Sequence, residues 1–144
     1  MILLLPCLCS WAVAQIIKVI IGVLREHRFN WHYFIASGGM PSSHSATVSA
    51  LATGIGLKYG INDVSFAIAV VLAIVVMYDA AGVRRAVSRQ AFILNRIMKE
   101  LREQRPREKL EKDLRELVGH SPFQVFIGMA IGMIIAGLWM LFSL

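Results

Sequence analysis

Gly38-Gly39-Met40-Pro41-Ser42-Ser43-His44-Ser45-Ala46 reads as a turn that runs straight into a helix. Two glycines and a proline interrupt regular structure, and the serines after them can cap a helix start. The residues that follow decide the fold. Ala46 to Tyr59 is rich in Ser, Thr, Ala and Gly, and Ser45, Ser49 and Thr53 recur at four-residue spacing, as do Ala46, Ala50 and Gly54. Small faces of this kind let helices approach closely inside a bilayer. The segment therefore reads as a central helix buried among others.

The surrounding segments supply those others. Crossing about 30 Å of hydrocarbon takes roughly 20 helical residues. Ile2 to Leu24 and Phe123 to Leu141 are apolar runs of about this length, and Val64 to Tyr78 is a shorter, strongly apolar run of 15 residues. The whole 144-residue chain is 57% hydrophobic, with a mean hydropathy of +0.64, too apolar for an ordinary water-soluble domain. Met1 to Gln15 lacks the charged start of a secretion signal and continues apolar to Leu24, so it reads as a retained membrane helix. Cys7 and Cys9 lie inside that run and read as packing residues. Gly128 and Gly132 form a GxxxG pattern, which serves either helix packing or dimerisation.

Arg84 to Val118 differs from the rest, with 11 Lys/Arg and 6 Asp/Glu. Ile93, Ile97 and Leu101 fall at helical spacing, as do Leu110, Leu114 and Val118, and Pro106 separates the two sets. The pattern predicts an amphipathic helical hairpin, lying on a membrane surface or packed on the protein. Nothing resembles an interdomain linker, so residues 1–144 read as one domain with 84–118 as a charged insertion. Of the 15 Lys/Arg, only Lys58 falls near the Gly60-Ile61-Asn62-Asp63 turn. The positive-inside rule places the opposite side in the cytoplasm, or in the stroma of a plastid.

Four polar clusters then share that cytoplasmic face: Lys18 with Arg25, the glycine-serine turn with His44, Asp79 with Arg84 and Arg85, and Gly119-His120-Ser121-Pro122. A phosphate group needs cations and N–H donors around its oxygens, a nucleophile, and an acid for the leaving group. The Lys and Arg side chains supply cations, and arginine can grip two oxygens at once. The turn before His44 offers N–H groups at a helix N-terminus. Two histidines can divide attack on phosphorus from protonation of the leaving oxygen.

These residues resemble the type 2 phosphatidic acid phosphatase superfamily, which includes vanadium haloperoxidases. Lys18 and Arg25 stand in a K-x6-R spacing, Pro41-Ser42-Ser43-His44 looks like P-S-G-H, and His120 with Val125 and Gly128 looks like the end of S-R-x5-H-x3-D-V-x2-G. The match is closest to the small divergent membrane branch, whose G-G-M-P-S-S-H-S-A and D-x-x-G-V-R-R strings read here as Gly38 to Ala46 and Asp79 to Arg85. The resemblance implies that His120 attacks phosphorus to form a phosphohistidine. His44 would protonate the leaving alcohol and then activate water. Lys18, Arg25, Gly39, Ser42 and Ser43 would hold phosphate oxygens, with no cofactor and no metal. Arg115 is one residue too close to His120 for the third-motif arginine, so Arg84 or Arg85 is assigned that role.

Two departures from the pattern bear on the chemistry. Ser43 replaces a glycine, so the turn must tolerate a side chain. Gln124 stands where the family has an aspartate that orients the nucleophilic histidine. A glutamine carbonyl can set the tautomer but cannot stabilise the imidazolium by charge. Losing the acidic partner costs roughly 10⁴-fold in a serine-protease triad, and Asp79 is the candidate substitute here.

The expected protein is all-α: about four membrane helices with a cytoplasmic amphipathic hairpin. Its function is hydrolysis of a lipid phosphate monoester or diphosphate, or, on a degenerate site, non-catalytic binding or transport of lipid phosphate. Its partners are the lipid phosphate substrate and anionic headgroups, with no nucleic acid; four spans make a thin bundle, which a homodimer would thicken. The topology is testable by labelling. In a Cys7→Ser/Cys9→Ser background, Asn62→Cys should react with a membrane-impermeant maleimide on intact cells, and Ser88→Cys only after permeabilisation.

Overall fold

A computed structural model describes residues 3–26, 39–82, 90, 93–94 and 121–143. The described residues form four long helices and no strand: α1 (Leu4–Glu26), α2 (Ser43–Tyr59), α3 (Val64–Ala81) and α4 (Pro122–Ser143). Within α1, α3 and α4, the stretches Leu4–Leu24, Val64–Ala81 and Pro122–Phe142 are long and apolar enough to cross a membrane. The shorter, more polar α2 is the hub. It packs against all three other helices, whereas α1 and α3 make no contact with each other among the described residues. Gln90, Ile93 and Leu94 are helical; the rest of segment 84–118, where the sequence predicts a charged hairpin, lies outside the described residues.

Close approach explains the hub. A Cβ added to Gly128 would collide with the Ser42 carbonyl oxygen and come within 3.1 Å of the Ser45 Cβ. One added to Gly132 would collide with the Ala46 carbonyl oxygen and lie 2.9 Å from the Ala50 nitrogen. The GxxxG pattern is therefore spent inside the chain, against the small face of α2. Successive contacts climb both helices together, so α2 and α4 run parallel, and the chain between them returns through α3. The α2–α3 connection is tight. Gly60, at φ 91°, ends α2, and the Asp63 carboxylate caps α3 by accepting from the Ser65 N–H at 2.7 Å.

Packing is inverted relative to a water-soluble bundle. The buried residues are small or polar, among them Ala14, Ala46, Ala50, Ala136, Ser10, Ser45 and Ser49. The large apolar side chains, such as Leu8, Ile20, Val71, Val75, Phe126 and Leu141, face outward. Lipid tails are as apolar as these side chains, so burying them inside the bundle gains little; helices associate through backbone proximity and van der Waals contact.

This packing makes a sharp comparison. Gly132→Ala should destabilise the protein by about 1–3 kcal/mol through overpacking. Gly137, whose added Cβ meets nothing within 4 Å, should accept alanine with a change below about 0.5 kcal/mol. Heating in detergent, followed by dye labelling of buried Cys7 in a Cys9→Ser background, reads both.

Candidate functional site

The two parallel helices α2 and α4 start side by side. Ser42 caps α2: its Oγ accepts from the Ser45 N–H at 3.3 Å and from the Ser45 hydroxyl at 3.0 Å. The Ser42 N–H donates to the Gln124 carbonyl oxygen at 3.1 Å, which ties the turn to the first turn of α4. Ser121 caps α4 in a reciprocal box. Its Oγ accepts from the Gln124 N–H at 3.4 Å, and Gln124 Oε1 accepts from the Ser121 N–H at 3.0 Å. Pro122 then occupies the first helical position, where a missing N–H costs nothing. Two helix N-termini thus point the positive ends of their dipoles to the same side of the bundle.

Lys18 stands beside them. It is only 5% exposed, and its aliphatic stem passes Gly39, whose added Cβ would lie 3.4 Å from Lys18 Cγ. Gly39 has φ 97°, a conformation that strains other residues. Glycine is favoured there by the backbone conformation, since a Cβ would make only ordinary contact with the lysine stem. A cation this well buried in a membrane helix is costly, which marks it as a functional candidate.

The structure brings Lys18, Gly39, Ser42, Ser43 and Gln124 to one end of the bundle. Ser43 is the buried first residue of α2, so it is helical and does not need a glycine's freedom; its carbonyl accepts from the Thr47 hydroxyl at 2.8 Å. His44 follows it and is exposed. Asp79 lies in the last turn of α3, at the same end because α3 runs antiparallel to α2. Arg25 falls within α1, but its side chain is outside the described residues, as are Arg84, Arg85 and His120. Ser42 is fully buried, and both its N–H and its Oγ are engaged in the scaffold. Its role visible here is to shape the turn. No group of three His, Cys, Asp or Glu side chains gathers among the described residues.

Two features escaped the sequence reading. The Ser121-x-x-Gln124 box was legible as a helix-start spacing, but Gln124 stood out only as a departure from aspartate. Gln15, buried on the same side of α1 as Lys18, belongs to none of the sequence motifs.

Comparison with known proteins places these motifs in a family. The model of the Divergent PAP2 family matches residues 2–135. A Bacillus subtilis (strain 168) protein described as "Uncharacterized membrane protein YuiD" is 37% identical, over 92% of this chain and 89% of its own length. No solved structure matches significantly.

The cap is the part of the site whose energetics can be read directly. Ser42→Ala removes an acceptor from Ser45 and should lower stability by about 1 kcal/mol, and Ser42→Gly should cost less. Thermal unfolding of both variants in detergent checks the order.

Proposed function

The chain belongs to the divergent PAP2 family, and from that premise we propose that it is an integral-membrane lipid-phosphate phosphatase. The observation that carries the reading is the pair of adjacent helix N-termini, joined by the Ser42–Gln124 backbone hydrogen bond, beside buried Lys18. Oriented N–H groups, aligned dipoles and a cation in a dry setting suit the oxygens of a phosphate ester.

In the proposed reaction, a His120 ring nitrogen attacks phosphorus and the P–O bond to the lipid breaks. The His44 imidazolium gives its proton to the departing oxygen, which leaves as the lipid alcohol. Neutral His44 next takes a proton from water, and the oxygen of that water attacks phosphorus. The N–P bond breaks, inorganic phosphate leaves, His120 recovers its electron pair and His44 is protonated again. Lys18 and Arg25, with Arg84 or Arg85, neutralise the oxygens, and the N–H groups around Gly39 and Ser43 share them. Asp79 supports the arginines. The site faces the cytoplasm of a plasma membrane, where the basic segment 84–118 lies near anionic headgroups.

One observation favours a second reading, a non-catalytic lipid-phosphate binding or transport protein. Gln124 replaces the family's aspartate, and its Oε1 accepts from the Ser121 N–H. Its carbonyl is thus engaged in helix capping, and no negative charge is offered to a histidine from that position.

Purified protein given lipid phosphates should release phosphate and form an acid-labile, alkali-stable phosphoenzyme. His120→Ala should abolish that species, and His44→Ala should slow turnover by about 10²–10⁴-fold, the range for loss of a general acid–base group. Equal phosphate release by wild type and both variants would defeat the phosphatase reading, as would saturable lipid-phosphate binding with no release.

A further inference from the structure

We infer that the Ser43 side chain is an anion ligand: its hydroxyl, together with its backbone N–H, donates to the oxygens of a phosphate group held on the α1 side of the α2 start, against Lys18. The inference rests on the phosphate-site reading and adds to it a side-chain donor and the side from which the anion is held.

Ser43 is 4% exposed, and its hydrogen bonding is one-sided. Its carbonyl oxygen accepts from the Thr47 hydroxyl at 2.8 Å. Among the described residues, neither its N–H nor its hydroxyl has an acceptor. The N–H groups around it are engaged inside the scaffold. That of Ser42 donates to the Gln124 carbonyl, that of Ser45 to Ser42 Oγ, and that of Ala46 to the Ser42 carbonyl. Two open donors on one buried residue call for a ligand, because a buried polar group without a partner is costly. Both call for an acceptor.

The register of α1 against α2 shows which way the side chain faces. Leu3 meets Gly54, Cys7 shares a buried cluster with Ala50, and Lys18 meets Gly39. As α1 is climbed the partners on the α2 side descend in step, so the two helices are antiparallel. Ser43 lies seven residues before Ala50 and eleven before Gly54, on the same helix stripe, and so faces α1. The same register sets Ser42 level with Gln15 and Ser43 level with Ala14. Ala14 is fully buried, and its methyl group offers the hydroxyl no hydrogen bond. Lys18 is one turn further along the same face of α1.

On this side of the α2 start the polar groups are therefore a hydroxyl, a backbone N–H at a helix N-terminus, and an ammonium. All three donate, and the last two bring positive charge. A phosphate group has several charged oxygens and accepts from all of them together. A glycine at position 43, as in P-S-G-H, would offer its N–H alone. Ser43 is the first residue of α2, where serine fits the helical backbone and adds a second donor. The departure from the superfamily's glycine is on this account an added ligand.

The test is equilibrium binding of two probes, inorganic phosphate and dioleoylglycerol phosphate, by the full chain in detergent. Wild type is compared with Ser43→Ala and with Ser43→Gly, the superfamily's own residue, which keeps the test open if alanine disturbs the helix start. Ser49→Ala is the control, since Ser49 is another buried serine of α2 whose hydroxyl has no partner among the described residues. Each Ser43 variant should lose about tenfold or more in affinity for both probes, the scale of one hydrogen bond to a charged group. Ser49→Ala should bind both within about twofold of wild type. Unchanged binding by the Ser43 variants, a loss confined to the lipid probe, or an equal loss in Ser49→Ala would overturn the inference. Binding of neither probe by wild type would bring down the phosphate-site reading and this inference with it. If wild type binds, the Ser43 variants lose affinity and no lipid phosphate is hydrolysed, the phosphatase reading fails and the Ser43 contact stands.

Discussion

The close approach of α2 and α4 is the contact on which the rest depends. Gly128 and Gly132 stand where any side chain would strike the carbonyl oxygens of Ser42 and Ala46. Only glycine lets the two backbones lie this near. The Ser42 N–H can then reach the Gln124 carbonyl, a hydrogen bond between two segments about eighty residues apart in sequence. Because the helices are parallel, their N-termini are neighbours, and an anion would meet both together.

A bilayer makes this arrangement natural. With no water to expel between helices, large side chains have little reason to enter the bundle. They face lipid, and the interior is left to alanine, serine and glycine. A polar group can sit in such an interior when capping and backbone partners are at hand. The serines at 42, 45 and 121 do this at the helix starts. Lys18 and Gln15 are different: they are long, buried and polar within the apolar stretch of α1, a costly placement in a membrane helix.

Gln124 shows how one residue can serve two readings. As a departure from an aspartate it weakens the case for catalysis. As the third residue of α4 it completes a capping box with Ser121, a task that glutamine performs as readily as glutamate. The box holds the start of α4 in place beside the turn that precedes α2. Its side chain thus contributes to the geometry of the site whatever its effect on a histidine.

Much was legible in the sequence because it follows from local chemistry. Apolar runs of membrane length, the Gly-Gly-x-Pro-Ser turn and the serine caps depend on residues near one another in the chain. So did the motif strings, which led to the family and to His44, Lys18 and Ser42. Other features were decided only by tertiary structure. GxxxG is the same pattern whether it meets another copy or another helix of the same chain, and only packing showed it against Ser42 and Ala46. The parallel pairing of α2 with α4, and the level of Gln15 beside Ser42, are set by contacts between segments distant in sequence. Hydrophobic periodicity carries no information about them, because in a membrane it reports which face meets lipid and not which helix meets which.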